Sequence, residues 1–206
     1  MREVAGAVVV VVSFIFISAG AAQGDLLNLS RDHYPRIYTG SILVTYDADG
    51  AGDKGLLIAE GWPMAVDSSD VDTVDLWDGI FYLECVIDPA TGAAESGSLT
   101  VTGDLDGVNT VTLMESTILT AFGSGAEDLF EFKFTQEGTT PLVPDTDTIG
   151  VILDGREVLD FSVPDFSSDF TNDGWGNAES FYMPEPTTVV LVGLGAIGIL
   201  RRRHAM

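Results

Sequence analysis

The sequence predicts an all-β protein, an antiparallel β-sandwich or jelly-roll-like domain, from three observations. Short runs rich in β-branched and aromatic residues alternate apolar with polar positions. Asp-Gly pairs recur at Asp49-Gly50, Asp78-Gly79, Asp106-Gly107, Asp154-Gly155 and Asp173-Gly174. These are turn chemistry, because Gly accepts positive φ and Asp bonds its neighbouring backbone. Residues 25–183 also contain no amphipathic helical run of useful length.

Taken in order, the expected strands begin with SILVTYD (41–47), followed by GLLIAEG (55–61) after a glycine-rich turn. GIFYLECVI (79–87), GSLTVTG (97–103) and MESTILTAFG (114–123) come next, mostly bounded by Gly and Asp. DLFEFKFTQ (128–136) has the cleanest pattern. Phe130, Phe132 and Phe134 alternate with Glu131, Lys133 and Thr135, which predicts three rings on the core face and the polar residues on the other. QEGTTPLVPDTDT (136–148), with two prolines, reads as a long loop before the strand IGVILDG (149–155). FSVPDFSSDFTNDGWGN (161–177) reads as a further loop whose Phe161, Phe166, Phe170 and Trp175 pack on the sheet; NAESFYM (177–183) closes it. No internal repeat is apparent.

The formal net charge is −23. Of the 32 acids only Glu3 and Glu185 lie outside residues 25–183, as do four of the nine basic residues, Arg2 and Arg201 to Arg203. The central domain therefore holds thirty acids against five bases. Such a surface repels phosphates and anionic lipid, which excludes nucleic acid as a partner. It favours cations, solubility in salt, or plain solvation. The single cysteine, Cys85, permits no intramolecular disulfide and sits in an apolar run, as a buried inert thiol does. Two histidines, His33 and His204, leave the domain one imidazole for any metal cluster or triad.

The two ends differ in composition from the domain. VAGAVVVVVSFIFISAGAA (4–22) comes after Arg2 and finishes in small residues, the pattern of a secretory signal peptide over residues 1–24. An uncleaved membrane helix is the alternative, and either one exports the domain attached to it. At the other end, Gly193, Gly195 and Gly198 fit G-x-G-x-x-G after an apolar run. A dinucleotide site needs a subsequent helix, a second strand and a ribose carboxylate. Only eight residues remain, three of them arginines. An uncharged run from Thr187 to Leu200 before Arg201-Arg202-Arg203 is instead a stop-transfer pattern, a C-terminal hydrophobic helix with its arginines on the cytoplasmic side. At about 1.5 Å per residue it covers roughly 21 Å of a hydrocarbon core about 30 Å thick, short for a permanent anchor.

MPEPTTVVLVGLGAIGILRRRHAM, over residues 183–206, resembles the PEP-CTERM sorting signal: a Pro-Glu-Pro triplet, a short membrane segment, then arginines. The resemblance implies recognition by an exosortase-type membrane protease that releases the protein. Pro184, Glu185 and Pro186 would be the recognition triplet, and Arg201, Arg202 and Arg203 the retention cluster. Thr187-Thr188 and the extra His204-Ala205-Met206 depart mildly from the pattern. The resemblance also implies a bacterium of Gram-negative type that makes exopolysaccharide. The signal segment implies export through the Sec translocon, and the resemblance implies membrane anchoring before processing and a cell-surface or extracellular-matrix destination after it.

Within the domain, YDADGAGDKG (46–55) places Asp47, Asp49 and Asp53 on a Gly-rich turn that could offer Ca²⁺ oxygen ligands. It is not an EF-hand, since Ile58 stands where the bidentate Glu belongs, and an ordinary acidic hairpin turn is the preferred reading. DSSDVDTVDLWD (67–78) is a denser acidic run, read as a solvated loop. Trp62, Trp77 and Trp175, with Tyr38, Tyr46 and Tyr82, offer either core and edge packing or a sugar-stacking platform. A Ser-His-Asp site would depend on His33, whose neighbour Asp32 is adjacent only along the chain. The expectation is thus an exported, non-catalytic surface or exopolysaccharide-matrix protein with no cofactor beyond Ca²⁺. A carbohydrate-binding module is the alternative, and a secreted glycosidase or lyase a further one.

Overall fold

A computed structural model of the chain describes residues 26–69, 72–125, 129–154, 166–171 and 176–183. The expected signal segment (1–24) and hydrophobic tail (184–206) lie outside these residues, as do Phe161, Trp175, Asp70 and the Asp173-Gly174 turn. The described residues are all-β and every strand pairing is antiparallel. The strands are β1 (Arg36–Asp47), β2 (Gly55–Asp67), β3 (Thr73–Asp75), β4 (Phe81–Ile87), β5 (Ala94–Asp104), β6 (Thr110–Ser116), β7 (Ile118–Gly125), β8 (Leu129–Thr135), β9 (Thr148–Asp154), β10 (Phe170–Thr171) and β11 (Gly176–Met183). Hydrogen bonding joins them in the order β6-β5-β4-β2-β1-β11-β9-β8-β7, with β3 added beside β2 and β10 beside β1. Among the described residues, hydrogen bonding alone therefore does not divide the strands into the two layers of a sandwich.

The curvature comes from the long β1–β2 hairpin. Along β1 the buried positions are Ile37 and Thr39, then Gly40, Ile42, Val44 and Tyr46. The odd-to-even switch is a β-bulge, where β1 advances three residues from Gly40 to Leu43 while β2 advances two from Trp62 to Glu60. Ser41 takes up the kink with φ of 53°. A second slip, with Tyr38 opposite Ala65 but Thr39 opposite Pro63, leaves Met64 unpaired on β2. An extra residue bends a strand and exchanges its inner and outer faces. The hairpin accordingly changes neighbours: β11 and β3 flank the Arg36–Asp67 end, while β10 and β4 flank the Asp47–Gly55 end.

Bending brings the two wings around one core. Its largest members include Phe81, Phe130, Phe132, Phe134 and Phe166, all fully buried. At one end Tyr46 on β1 stacks on Phe170 (centroids 5.0 Å apart) and meets Phe166 edge-on (5.2 Å); Phe166 in turn meets Phe122 of β7 at 6.2 Å. The Tyr46 hydroxyl donates to the Phe166 carbonyl at 2.9 Å. Only glycine fits opposite it, because a Cβ on Gly55 would lie 1.8 Å from that hydroxyl. Phe166 and Phe170 are therefore core residues, as expected of their loop.

The run MESTILTAFG is two strands and not one. Ser116 Oγ donates to the Thr135 carbonyl (2.5 Å) and accepts from the Ile118 N–H (2.9 Å), turning the chain at Thr117. The outermost strands β6 and β7 are thus consecutive in sequence, and the Glu115 N–H reaches Gln136 Oε1 at 3.1 Å across the closure. Two further features depart from the expectations. The acidic run contains the short edge strand β3. Glu131, expected on the solvent face, is only 3% exposed. The reason is the segment 26–35, which crosses that face. Leu26 packs on Gly125, the Leu29 N–H donates to Glu131 Oε1 (3.1 Å), His33 stacks on Phe181 (6.0 Å), and the Pro35 carbonyl accepts from the Tyr182 N–H (3.1 Å).

Candidate functional site

The glycine-rich turn between β1 and β2 uses its carboxylate internally. Asp47 Oδ1 accepts the Asp49 N–H at 3.0 Å, and the Asp47 and Asp49 carbonyls accept the N–H groups of Gly50 and Gly52, each at 3.2 Å. This is an Asx-type turn. Among the described residues no three His, Cys, Asp or Glu side chains gather closely enough to hold a metal ion, and that includes Asp47, Asp49 and Asp53. In the second acidic run, Asp67 accepts from Arg36 Nη2 (2.7 Å) and Thr73 Oγ1 (2.7 Å), while the Ser68 N–H donates to the Asp72 carbonyl. The Arg36 guanidinium and the Thr73 hydroxyl hold the Asp67 carboxyl below its ordinary range.

The sequence-adjacent pair Asp32-His33 is likewise placed structurally. Asp32 accepts from Ser30 Oγ (3.1 Å), while the His33 ring lies against Phe181. Cys85 is fully buried, and burial pushes its thiol up to about 12, which leaves no thiolate at neutral pH.

The aromatic residues separate into two groups. Tyr46 is only 2% exposed and belongs to the core. Tyr82 is half-buried, and its hydroxyl donates to Glu84 Oε2 at 3.1 Å. Trp62, by contrast, is 67% exposed, and Trp77 and Tyr38 are also exposed. Trp62 lines a groove of about 490 Å³ with Ser41, Leu43, Glu60, Ile80 and Phe81. That volume lies inside the roughly 300–1,000 Å³ range of small-ligand sites.

The strands explain how those side chains meet. Pairing of Gly61 with Phe81 puts Trp62 across from Ile80, and Leu43 pairs with Glu60, which pairs with Tyr82. Buried positions in β4 are Phe81, Leu83, Cys85 and Ile87, so Tyr82 and Glu84 point outward with Ile80. Three large apolar side chains, Leu43, Trp62 and Ile80, therefore share an outer face with one lining carboxylate, Glu60. A contiguous exposed apolar patch rimmed by polar groups is a recognised mark of a binding surface. Trp62 stands out in the sequence as a candidate, whereas Leu43, Glu60 and Ile80 do not. The pairing register that unites them depends on the two bulges, which the residue pattern does not announce.

Cations sit elsewhere. Arg31 bridges Glu179 (3.0 Å) and Asp154 (3.9 Å), Arg36 bridges Asp67 (2.7 Å) and Glu179 (3.8 Å), and Lys54 bridges Asp88 (2.9 Å) and Glu95 (2.8 Å). Between Ser41 and Asp47, and throughout β2, β4 and β5, there is no lysine or arginine.

A family model for the PEP-CTERM protein-sorting motif matches residues 184–203, which contain Pro184-Glu185-Pro186 and Arg201 to Arg203. The match starts at the residue after the end of β11. The motif implies export, a C-terminus held in the membrane before processing, and an exosortase as the processing partner. No curated protein and no solved structure matches the chain.

Proposed function

We propose that this chain is a non-catalytic component of the cell surface or exopolysaccharide matrix, carried out by the Sec translocon. An exosortase-type protease frees its sandwich-like acidic domain from the tail. The observation that carries this reading is the sorting motif at 184–203, directly after the last strand. The test is to express the full chain in bacteria with and without a working exosortase and track its mass and location. Loss of the tail and appearance outside the membrane only in the competent strain is the expected result. An identical membrane-bound product in both strains would sink the proposal. Replacing Arg201, Arg202 and Arg203 by alanine should abolish the difference.

Within that role the groove around Trp62 favours polysaccharide binding. Pyranose rings have apolar C–H faces that suit an exposed indole, and ring hydroxyls that suit Ser41 and Glu60 on the groove lining. Glycosidase or lyase activity has less support, because two opposed carboxylates are required. Among the described residues Glu60 is the one carboxylate lining this groove. The turn at Asp47, Asp49 and Asp53 is then an acidic hairpin turn, and Ca²⁺ has no part in the proposed role.

A further inference from the structure

Resting on the polysaccharide reading of the same groove, we infer that its ligand is a polymer of amino sugars carrying free ammonium groups, rather than a uronate or sulfated chain. Charge complementarity is the first ground. Around the groove, the outer face of β1 from Ser41 onward and of β2, β4 and β5 presents Glu60 and Glu84 and carries no lysine or arginine. Arg31, Arg36 and Lys54 do not line the groove, and each is held by carboxylates: Arg31 by Glu179, Arg36 by Asp67 at the Arg36–Asp67 end of the hairpin, and Lys54 by Asp88 and Glu95. An anionic chain would find no counter-charge and would meet the field of a domain with thirty acids against five bases. An ammonium group beside Glu60 gains its attraction and, over the Trp62 ring, a cation–π contact as well.

The second ground separates sugar from peptide. β1, β2 and β4 each lie between two paired strands, so none of them is an edge strand of the sheet. A peptide laid on this face could not add as a strand, and its amides would be buried unpaired against Leu43 and Ile80. A pyranose avoids that cost, because its polar groups lie around its rim and its faces are apolar.

The experiment is calorimetry on the full chain in mild detergent at about 0.15 M salt, where long-range attraction is largely screened. Four probes are compared: a glucosamine hexamer, its fully N-acetylated form, a galacturonate hexamer, and a basic Lys-Trp peptide. The glucosamine hexamer should bind about tenfold more tightly than the acetylated one, with no galacturonate binding. Trp62→Ala should weaken both bound sugars by about tenfold or more, as loss of a central aromatic anchor does. Glu60→Gln should erase the preference for the amine, so that the two hexamers bind with equal affinity. Equal or tighter binding of the acetylated hexamer would overturn the inference and leave the polysaccharide reading standing. Absence of binding by every sugar would overturn both. Glucosamine binding indifferent to Trp62→Ala would reveal mere polyelectrolyte attraction, which also overturns the inference. Trp62-dependent capture of the peptide without the sugars would make this a protein-docking face and overturn both readings.

Discussion

The outer face of β8, β9 and β11 and the outer face of β1, β2 and β4 belong to the same sheet and are finished in opposite ways. On the first, the segment before β1 is laid across the strands, sealing Glu131 beneath Leu29 and Phe181 beneath His33. Arg31 and Arg36 pair there with Glu179. On the second, Trp62, Leu43 and Ile80 stand in the open. A chain that closes one apolar face with ten residues has the means to close another. Leaving the second bare sacrifices hydrophobic stabilisation, and that is the physical ground for reading it as a surface in use.

Substitutions on the two faces should respond in opposite senses, and the largest effect belongs to the covered side. Phe181→Ala empties a fully buried site and should cost about 3–5 kcal/mol, read from the urea midpoint of the full chain. A cost below about 1 kcal/mol would mean that the strap does not seal that face. Arg36→Ala is next. It strips the buried Glu179 of one cationic partner and Asp67 of its hydrogen bond, at about 1–3 kcal/mol. Sensitivity to acid belongs to the same end of the molecule. Because the folded-state pKa of Asp67 is depressed, its contribution is complete above the ordinary carboxylate value near 4 and is lost as the pH falls through that value toward the folded one. Asp67→Asn should therefore be less stable than the parent at pH 7, with the two stability curves converging in acid. Parallel curves would remove Asp67 from the account.

On the open face the expected change in stability is the smallest. Trp62→Ala should move the midpoint by less than about 0.5 kcal/mol, since its indole is largely solvated already. A loss comparable to that of Phe181→Ala would make Trp62 a structural residue and end the contrast. The Asp47 turn supplies a control for both. CaCl₂ should raise the thermal midpoint no more than NaCl of matched ionic strength, as screening of a strongly acidic domain predicts. A selective calcium effect that Asp47→Asn abolishes would reinstate a metal site.

Much of this contrast was hidden in the sequence although the strands were not. Phe130, Phe132 and Phe134 alternate strictly and all three are core. The strand around Cys85 and the loop at 136–148 were equally legible, because β-propensity and prolines act locally. The break at Thr117 was not, since MESTILTAFG is β-favouring throughout and the turn rests on Ser116 bonding Thr135, nineteen residues away. Which tyrosine or tryptophan faces water depended on the bulges at Gly40–Ile42 and Met64, each of which inverts the alternation beyond it. Burial of Glu131 depended on a partner over a hundred residues away in sequence. The sorting motif, read in order over twenty contiguous residues, needed no tertiary contact at all.

The position of β11 has a mechanical consequence. It lies between β1 and β9, hydrogen-bonded to both, and pairs with β9 from Asn177 to Met183. The tail leaves from Met183 into the motif that begins at residue 184. In the proposed role, with the tail anchored and the open face holding a polymer, tension would enter the domain at the end of this interior strand. Antiparallel hydrogen bonds run perpendicular to the strand axis, so a pull along it shears both ladders together instead of unzipping them one bond at a time. Forced opening is set by the unfolding rate, and here it requires the β1 and β9 ladders to break together. A tether joined to this strand loads two ladders at once, where one joined to an outermost strand would load one.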